Sequence, residues 1–160
     1  MPPESAADER EPPLKKALQY LARREYYSAE LKWKLMGRGY REDAVDEVIE
    51  ELTAGGQLSD RRFLEAYIVE RQRRLYGPER IRMELLGKGF DEARIGGALA
   101  QAEDRWLDNA RRCCRKRFGE APPADGGEYA KRRDYLYRRG YSVPLIRAAL
   151  SDSLSGESGG

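Results

Sequence analysis

Apolar residues recur along this chain at offsets of three, four and seven. Leu14, Ala17, Leu18 and Leu21 form one such set, and Val45, Val48, Ile49 and Leu52 form another. With about 3.6 residues per helical turn, that spacing gathers each set onto one face of an α-helix. No run of strict alternation marks a β-strand. The pattern predicts an all-α fold.

One short pattern is written three times, as Leu35-Met36-Gly37-Arg38-Gly39-Tyr40, Leu85-Leu86-Gly87-Lys88-Gly89-Phe90 and Leu136-Tyr137-Arg138-Arg139-Gly140-Tyr141. The second glycines of the first two copies and Gly140 are 50 and 51 residues apart, and the agreement continues downstream. Val45, Ile95 and Ile146 each follow by six positions, and Ile49, Leu99 and Leu150 by ten. A shared period of this length signals a repeat architecture. Each copy leaves room for one helix before the motif helix and one after it. Three tandem three-helix repeats, about nine helices in all, are therefore expected to stack into an elongated, monomeric array. The expected repeats cover residues 12–56, 58–102 and 103–152, with an exposed loop at 119–127 marked by Pro122, Pro123 and Gly126. Segments 1–11 and 153–160, rich in proline, serine, glycine and acidic residues, are expected to be disordered.

The repeated pattern is the chemistry of a helix end. Gly39, Gly89 and Gly140 are structural caps in this reading. Each supplies a left-handed residue, the basic residue before it faces the carbonyl end of the dipole, and the aromatic after it folds back on the leucine. The following helix then starts at a capping residue, Asp91 or Ser142, whereas Arg41 is a poor cap in the first copy. Ser59 or Asp60 can cap the helix carrying Phe63, and Gly77-Pro78 is expected to end one helix and open another. Gly87-Lys88 is not a phosphate loop, because Gly89 stands where such a loop needs Ser or Thr.

Composition narrows the chemistry. Histidine is absent, which removes Ser-His and Cys-His nucleophiles and the usual zinc motifs. The two cysteines, Cys113 and Cys114, are neighbours, too close along the chain for an ordinary disulfide. One is expected in the core and the other at its edge, in a protein of a reducing, cytoplasmic setting. No segment has the length and apolarity of a membrane span. Glu42, Asp43, Asp46, Glu47, Glu50 and Glu51 read as the solvated face of the helix that carries Val45. No catalytic residue, cofactor site or metal site is expected.

Charge is unevenly distributed, although the net value is only +2. Residues 1–58 carry 9 basic and 12 acidic side chains, residues 59–104 carry 9 of each, and residues 105–150 carry 12 basic against 5 acidic. The contact candidates follow from that asymmetry. They are Arg71, Arg73, Arg74, Tyr76, Arg80 and Arg82 in the second repeat. In the third they are Arg111, Arg112, Arg115, Lys116, Arg117, Lys131, Arg132, Arg133, Arg138 and Arg139, interleaved with tyrosines. Such a surface suits a phosphate backbone or an acidic protein partner, and weak, sequence-independent binding to single-stranded DNA is expected.

Several stretches together resemble one bacterial family. These are Arg24-Glu25-Tyr26-Tyr27-Ser28-Ala29-Glu30-Leu31, then Leu58-Ser59-Asp60 with Phe63, then Tyr76-Gly77-Pro78 with Ile81, and Arg138-Arg139-Gly140-Tyr141. In order and spacing, over roughly residues 14–150, they are similar to RecX, the regulator of the RecA recombinase. The resemblance implies a non-enzymatic protein that binds RecA in its filament on single-stranded DNA. It implies a protein that lies in the filament groove, blocks extension or promotes disassembly, and lowers recombinase, ATPase and co-protease activity in DNA repair and the SOS response. The alternative is a stand-alone nucleic-acid-binding protein of helix-turn-helix character.

Overall fold

The computed structural model describes residues 11–155, with side chains described to Ser151. Among these residues there are nine α-helices, one 3-10 turn and no strand. The helices are α1 (Pro13–Leu21), α2 (Ser28–Gly37), α3 (Glu42–Ala54), α4 (Asp60–Arg73), α5 (Pro78–Gly87), α6 (Glu92–Ala100), α7 (Trp106–Phe118), α8 (Gly126–Arg139) and α9 (Val143–Ser155). The chain divides into two compact units, Met1–Ala66 and Tyr67–Gly160.

The three motif helices end alike. After α2, Gly39 N–H donates to Met36 C=O and Tyr40 N–H to Leu35 C=O; after α5 the same pair runs from Gly89 to Leu86 and from Phe90 to Leu85. After α8 it runs from Gly140 to Tyr137 and from Tyr141 to Leu136. These paired bonds satisfy carbonyls that a helix end otherwise leaves open, and they need a left-handed residue in the middle. Gly39, Gly89 and Gly140 have φ of 92°, 96° and 103°. The next helix starts from Asp91, whose side chain accepts from Arg94 N–H, or from Ser142, whose Oγ accepts from Leu145 N–H. Arg41 makes no side-chain cap, as expected of it.

In the first unit, Ala17 and Tyr20 of α1, Leu31 and Leu35 of α2, and Val45, Val48 and Leu52 of α3 form one core that Leu58 closes. Ser59 Oγ caps α4 by accepting from Arg62 N–H. Asp60 instead accepts from the backbone N–H and the hydroxyl of Ser28, tying the start of α2 to the start of α4. The acidic helix α3 turns Glu42 and Asp46 toward Lys32, at 3.2 and 2.9 Å. No three acidic or cysteine side chains converge in a metal-holding group among the described residues.

The core at the end of the second unit combines Ala110, Cys113 and Cys114 of α7 with Leu136 of α8 and Tyr141, Ile146, Ala149 and Leu150 around α9. Both cysteines are buried, which corrects the expectation of one at the edge. Helix α7 is packed by α8 and by α9, so two faces about 100° apart are both covered.

Three other expectations need adjusting. Helix α4 ends at Arg73 rather than at Gly77, and its left-handed closing residue is Leu75, at φ 61°. Gly77-Pro78 does open the next helix as expected, with Gly77 before α5 and Pro78 at the first helical position. The loop expected at 119–127 is shorter, because Asp125 accepts from Glu128 N–H and starts α8 at Gly126. Helix α9 continues to Ser155, three residues into the expected tail. The expectations for residues 1–10 and 156–160 lie outside the described residues.

Candidate functional site

Leu75 is a costly residue in the left-handed region, by about 1 to 2 kcal/mol. Its carbonyl accepts from Tyr141 Oη at 2.9 Å, and the turn it makes delivers Tyr76 beside three guanidinium groups. Arg139 of α8 lies 3.9 Å from the Tyr76 ring centroid, Arg80 of α5 lies 4.2 Å away and Arg71 of α4 lies 4.3 Å away. Each is close enough for cation–π attraction. Arg139 also donates to the Arg74 carbonyl. Four candidates, the guanidiniums of three helices and the Tyr76 ring between them, therefore meet at one place within the second unit.

Glu84 anchors the cluster. Its carboxylate lies 2.5 Å from Arg71 and 3.4 Å from Arg80, and accepts from the Tyr67 hydroxyl. Burial alone would push the Glu84 carboxyl up, but the hydrogen bonds from Arg71 and Tyr67 win and hold it below the usual carboxylate range. Burial and then the bond to Glu84 push the Tyr67 phenol up to about 12. Neither residue stands among the candidates that charge and aromatic content select. Glu84 carries a local signal, standing four residues after Arg80 on one helix face. Tyr67 stands four residues before Arg71.

Glycine makes the cluster possible. Gly77 N–H donates to Arg139 C=O at 2.8 Å and Glu79 N–H to Gly140 C=O at 2.9 Å. A β-carbon on Gly77 would stand 2.3 Å from the Gly140 carbonyl carbon, and one on Gly140 would stand 2.4 Å from Arg80 Cβ. The backbone before α5 and the backbone after α8 touch here because neither residue has a side chain.

The remaining candidates divide by exposure. Arg112, Arg115, Lys116 and Arg117 stand in solvent along α7, and Lys131, Arg133 and Arg138 along α8. Arg73 and Arg112, joined by Arg105, line a polar cleft of about 620 Å³ beside Gln72 and Asp108. Arg74 is exposed and pairs with Glu70 at 3.1 Å, Arg82 lies 3.6 Å from Glu92, and Arg111 is half-buried. Arg132 is a correction. It is 2% exposed, donates to the Ala121 carbonyl at 2.9 Å and to Glu128 at 2.7 Å, and packs over the Phe118 ring. A guanidinium so enclosed braces the 119–125 loop and offers nothing to a phosphate.

Comparison with known proteins gives this arrangement a family. Models of the first, second and third three-helix domains of RecX match residues 14–52, 59–99 and 103–150. The chain belongs to the RecX family. It is 42% identical over 137 residues to Regulatory protein RecX of Xanthomonas axonopodis pv. citri, covering 86% of this chain and 85% of that one. It is 40% identical over 133 residues to Regulatory protein RecX of Halorhodospira halophila, covering 83% of each. The crystal structure of RecX from Lactobacillus salivarius has the same fold, with a TM-score of 0.78 at 20% identity over 89% of this chain and 95% of that one. RecX proteins bear the name of regulators, and three helical domains are the form that the family takes here. No helix among the described residues is long and apolar enough to cross a membrane.

Proposed function

We propose that this chain regulates the RecA recombinase by binding RecA protomers in the filament on single-stranded DNA, without chemistry of its own. The observation that carries the reading is the basic surface of the third repeat, locked to the second through Tyr76, Gly77 and Gly140. A surface fixed in this way contributes several weak contacts at once, and later ones form at high effective concentration. The RecX likeness supplies RecA as the partner. Binding along the filament groove would block extension or promote disassembly, and would lower ATP hydrolysis, strand exchange and co-protease activity together.

The test is RecA-dependent ATP hydrolysis on single-stranded DNA, with increasing amounts of the full chain. Dose-dependent loss of turnover is expected, and turnover unchanged at saturating protein would reject the reading. A second reading, direct binding to nucleic acid, is favoured by Arg112, Arg115 and Lys116, which stand in solvent on α7 with no ion pair among the described residues. Retention of RecA inhibition when these three are neutralised, alongside loss of binding to bare DNA, would separate the two activities.

A further inference from the structure

Tyr137, Met83 and Val143 are 65%, 67% and 49% exposed, and with Val69 they are the large apolar side chains left open among the described residues of the second unit. The first three gather in one groove. One lobe, of about 660 Å³, runs between α5 and the α8–α9 turn and is lined by Met83, Tyr137, Val143 and Pro144. A second lobe, of about 400 Å³, shares Tyr137 and Val143 and continues along α8 and α9 past Ile146. The floor is fixed before any ligand arrives. Gly140 and Tyr141 line the first lobe, and they are held by the Glu79 N–H bond to Gly140 C=O and the Tyr141 hydroxyl bond to Leu75 C=O. A preformed apolar groove lets an occupant bind without also ordering the protein.

The rim selects the occupant. Arg138 lines one lobe and Arg147 the other, and neither has an ion-pair partner among the described residues. Arg133 is also at the rim, 3.4 Å from Asp134, and Arg80 faces Glu84 at 3.4 Å. Glu79 is the one other lining carboxylate. With Arg80 matched by Glu84 and Arg133 by Asp134, Arg138 and Arg147 against Glu79 leave the rim positive and favour an anionic ligand. Single-stranded DNA would use Tyr137 as a stacking platform, but Met83, Val143, Pro144 and Ile146 are aliphatic or cyclic and present no aromatic face to a base. Their shape suits leucine or phenylalanine side chains.

We infer that this groove docks an acidic, amphipathic segment of a protein partner, its apolar side chains seated against Met83, Tyr137 and Val143 and its carboxylates on Arg138 and Arg147. The inference rests on the groove itself and holds whichever protein supplies the segment.

The test uses the full chain and a fluorescein-labelled synthetic peptide of about 12 residues, with leucine and phenylalanine at helical spacing and Asp or Glu elsewhere. Its counterparts carry lysine for every acid, or serine for every apolar residue. Only the acidic, apolar peptide is expected to bind. The double substitution Met83→Ser and Tyr137→Ser should weaken it roughly tenfold or more, about 1.4 kcal/mol. Val143→Asp should do the same by repulsion, at a half-exposed position where the change should leave the fold intact. Arg138→Gln with Arg147→Gln should weaken it chiefly at low salt. Labelled oligo-dT binding should stay within about twofold in the Met83/Tyr137 variant, since backbone charges dominate it. Equal binding of all three peptides, or peptide binding untouched by the Met83/Tyr137 and Val143 changes, would overturn the proposal. So would loss of oligo-dT binding in step with Tyr137, which would make the groove a nucleic-acid surface.

Discussion

Gly89 and Gly140 share a backbone conformation but not a neighbourhood. A β-carbon on Gly89 would meet nothing within 4 Å, so Gly89→Ala costs only the left-handed strain, about 1 to 2 kcal/mol. Gly140→Ala would also press on Arg80 Cβ at 2.4 Å and Arg80 N at 2.7 Å, and its loss of stability should be clearly larger. Urea unfolding of the two variants compares them directly, and equal losses would mean that the close approach carries no energetic weight. Glu84 sets a second residue-scale expectation. Its folded carboxyl lies below the unfolded value, so its contribution is present above the unfolded range and disappears as pH falls through the folded one. Glu84→Gln should therefore flatten the acid side of the stability profile. For Tyr67 the sign reverses: the raised phenol stabilises the fold below its unfolded value, near 10, and that contribution fades as pH rises toward about 12. Tyr67→Phe should remove the latest tyrosinate absorbance change in an alkaline titration up to that pH.

At the scale of the helix, local chemistry was legible and tertiary chemistry was not. The three glycine endings could be read because the bonds that make them lie within six residues. Leu75 could not, since leucine is disfavoured in the left-handed region: its turn makes the same local pair of bonds, Leu75 N–H to Gln72 C=O and Tyr76 N–H to Arg71 C=O, but the Tyr141 bond, 66 residues away, and the packed core behind it offset the strain. Lys131, Arg132 and Arg133 look interchangeable in sequence, yet Arg132 points inward because its face of α8 meets Phe118 and the 119–125 loop. For the proposed contact residues, exposure was the missing variable: Arg71, Arg80 and Arg139 turned out to be gathered around Tyr76. Arg132→Gln should cost about 1 to 3 kcal/mol in a thermal or urea melt, through the missing bonds to Ala121 and Glu128. Arg133→Gln should stay within about 0.5 kcal/mol. Matching effects of the two changes would mean that Arg132 braces nothing and is free to serve as a surface contact.

Across the whole molecule, the charge asymmetry sets the salt response. If Arg112, Arg115 and Lys116 touch single-stranded DNA, changing all three to glutamine should make the slope of log affinity against log salt shallower by about 0.7 for each phosphate no longer neutralised. An unchanged slope, from anisotropy titrations at several salt concentrations, would move the DNA contact off α7. Deleting the third repeat would not isolate the same effect, because Gly77, Glu79 and Leu75 of the second take their hydrogen-bond partners from Arg139, Gly140 and Tyr141. That dependence also has a timetable. As the chain leaves the ribosome, the bond that holds the Leu75 carbonyl must wait for Tyr141, synthesised 66 residues after Leu75. At bacterial elongation rates the delay is roughly 3 to 13 s. For that interval Leu75 and Tyr76 stand open to chaperones and proteases, while the first unit, complete by Ala66, can close as soon as it emerges.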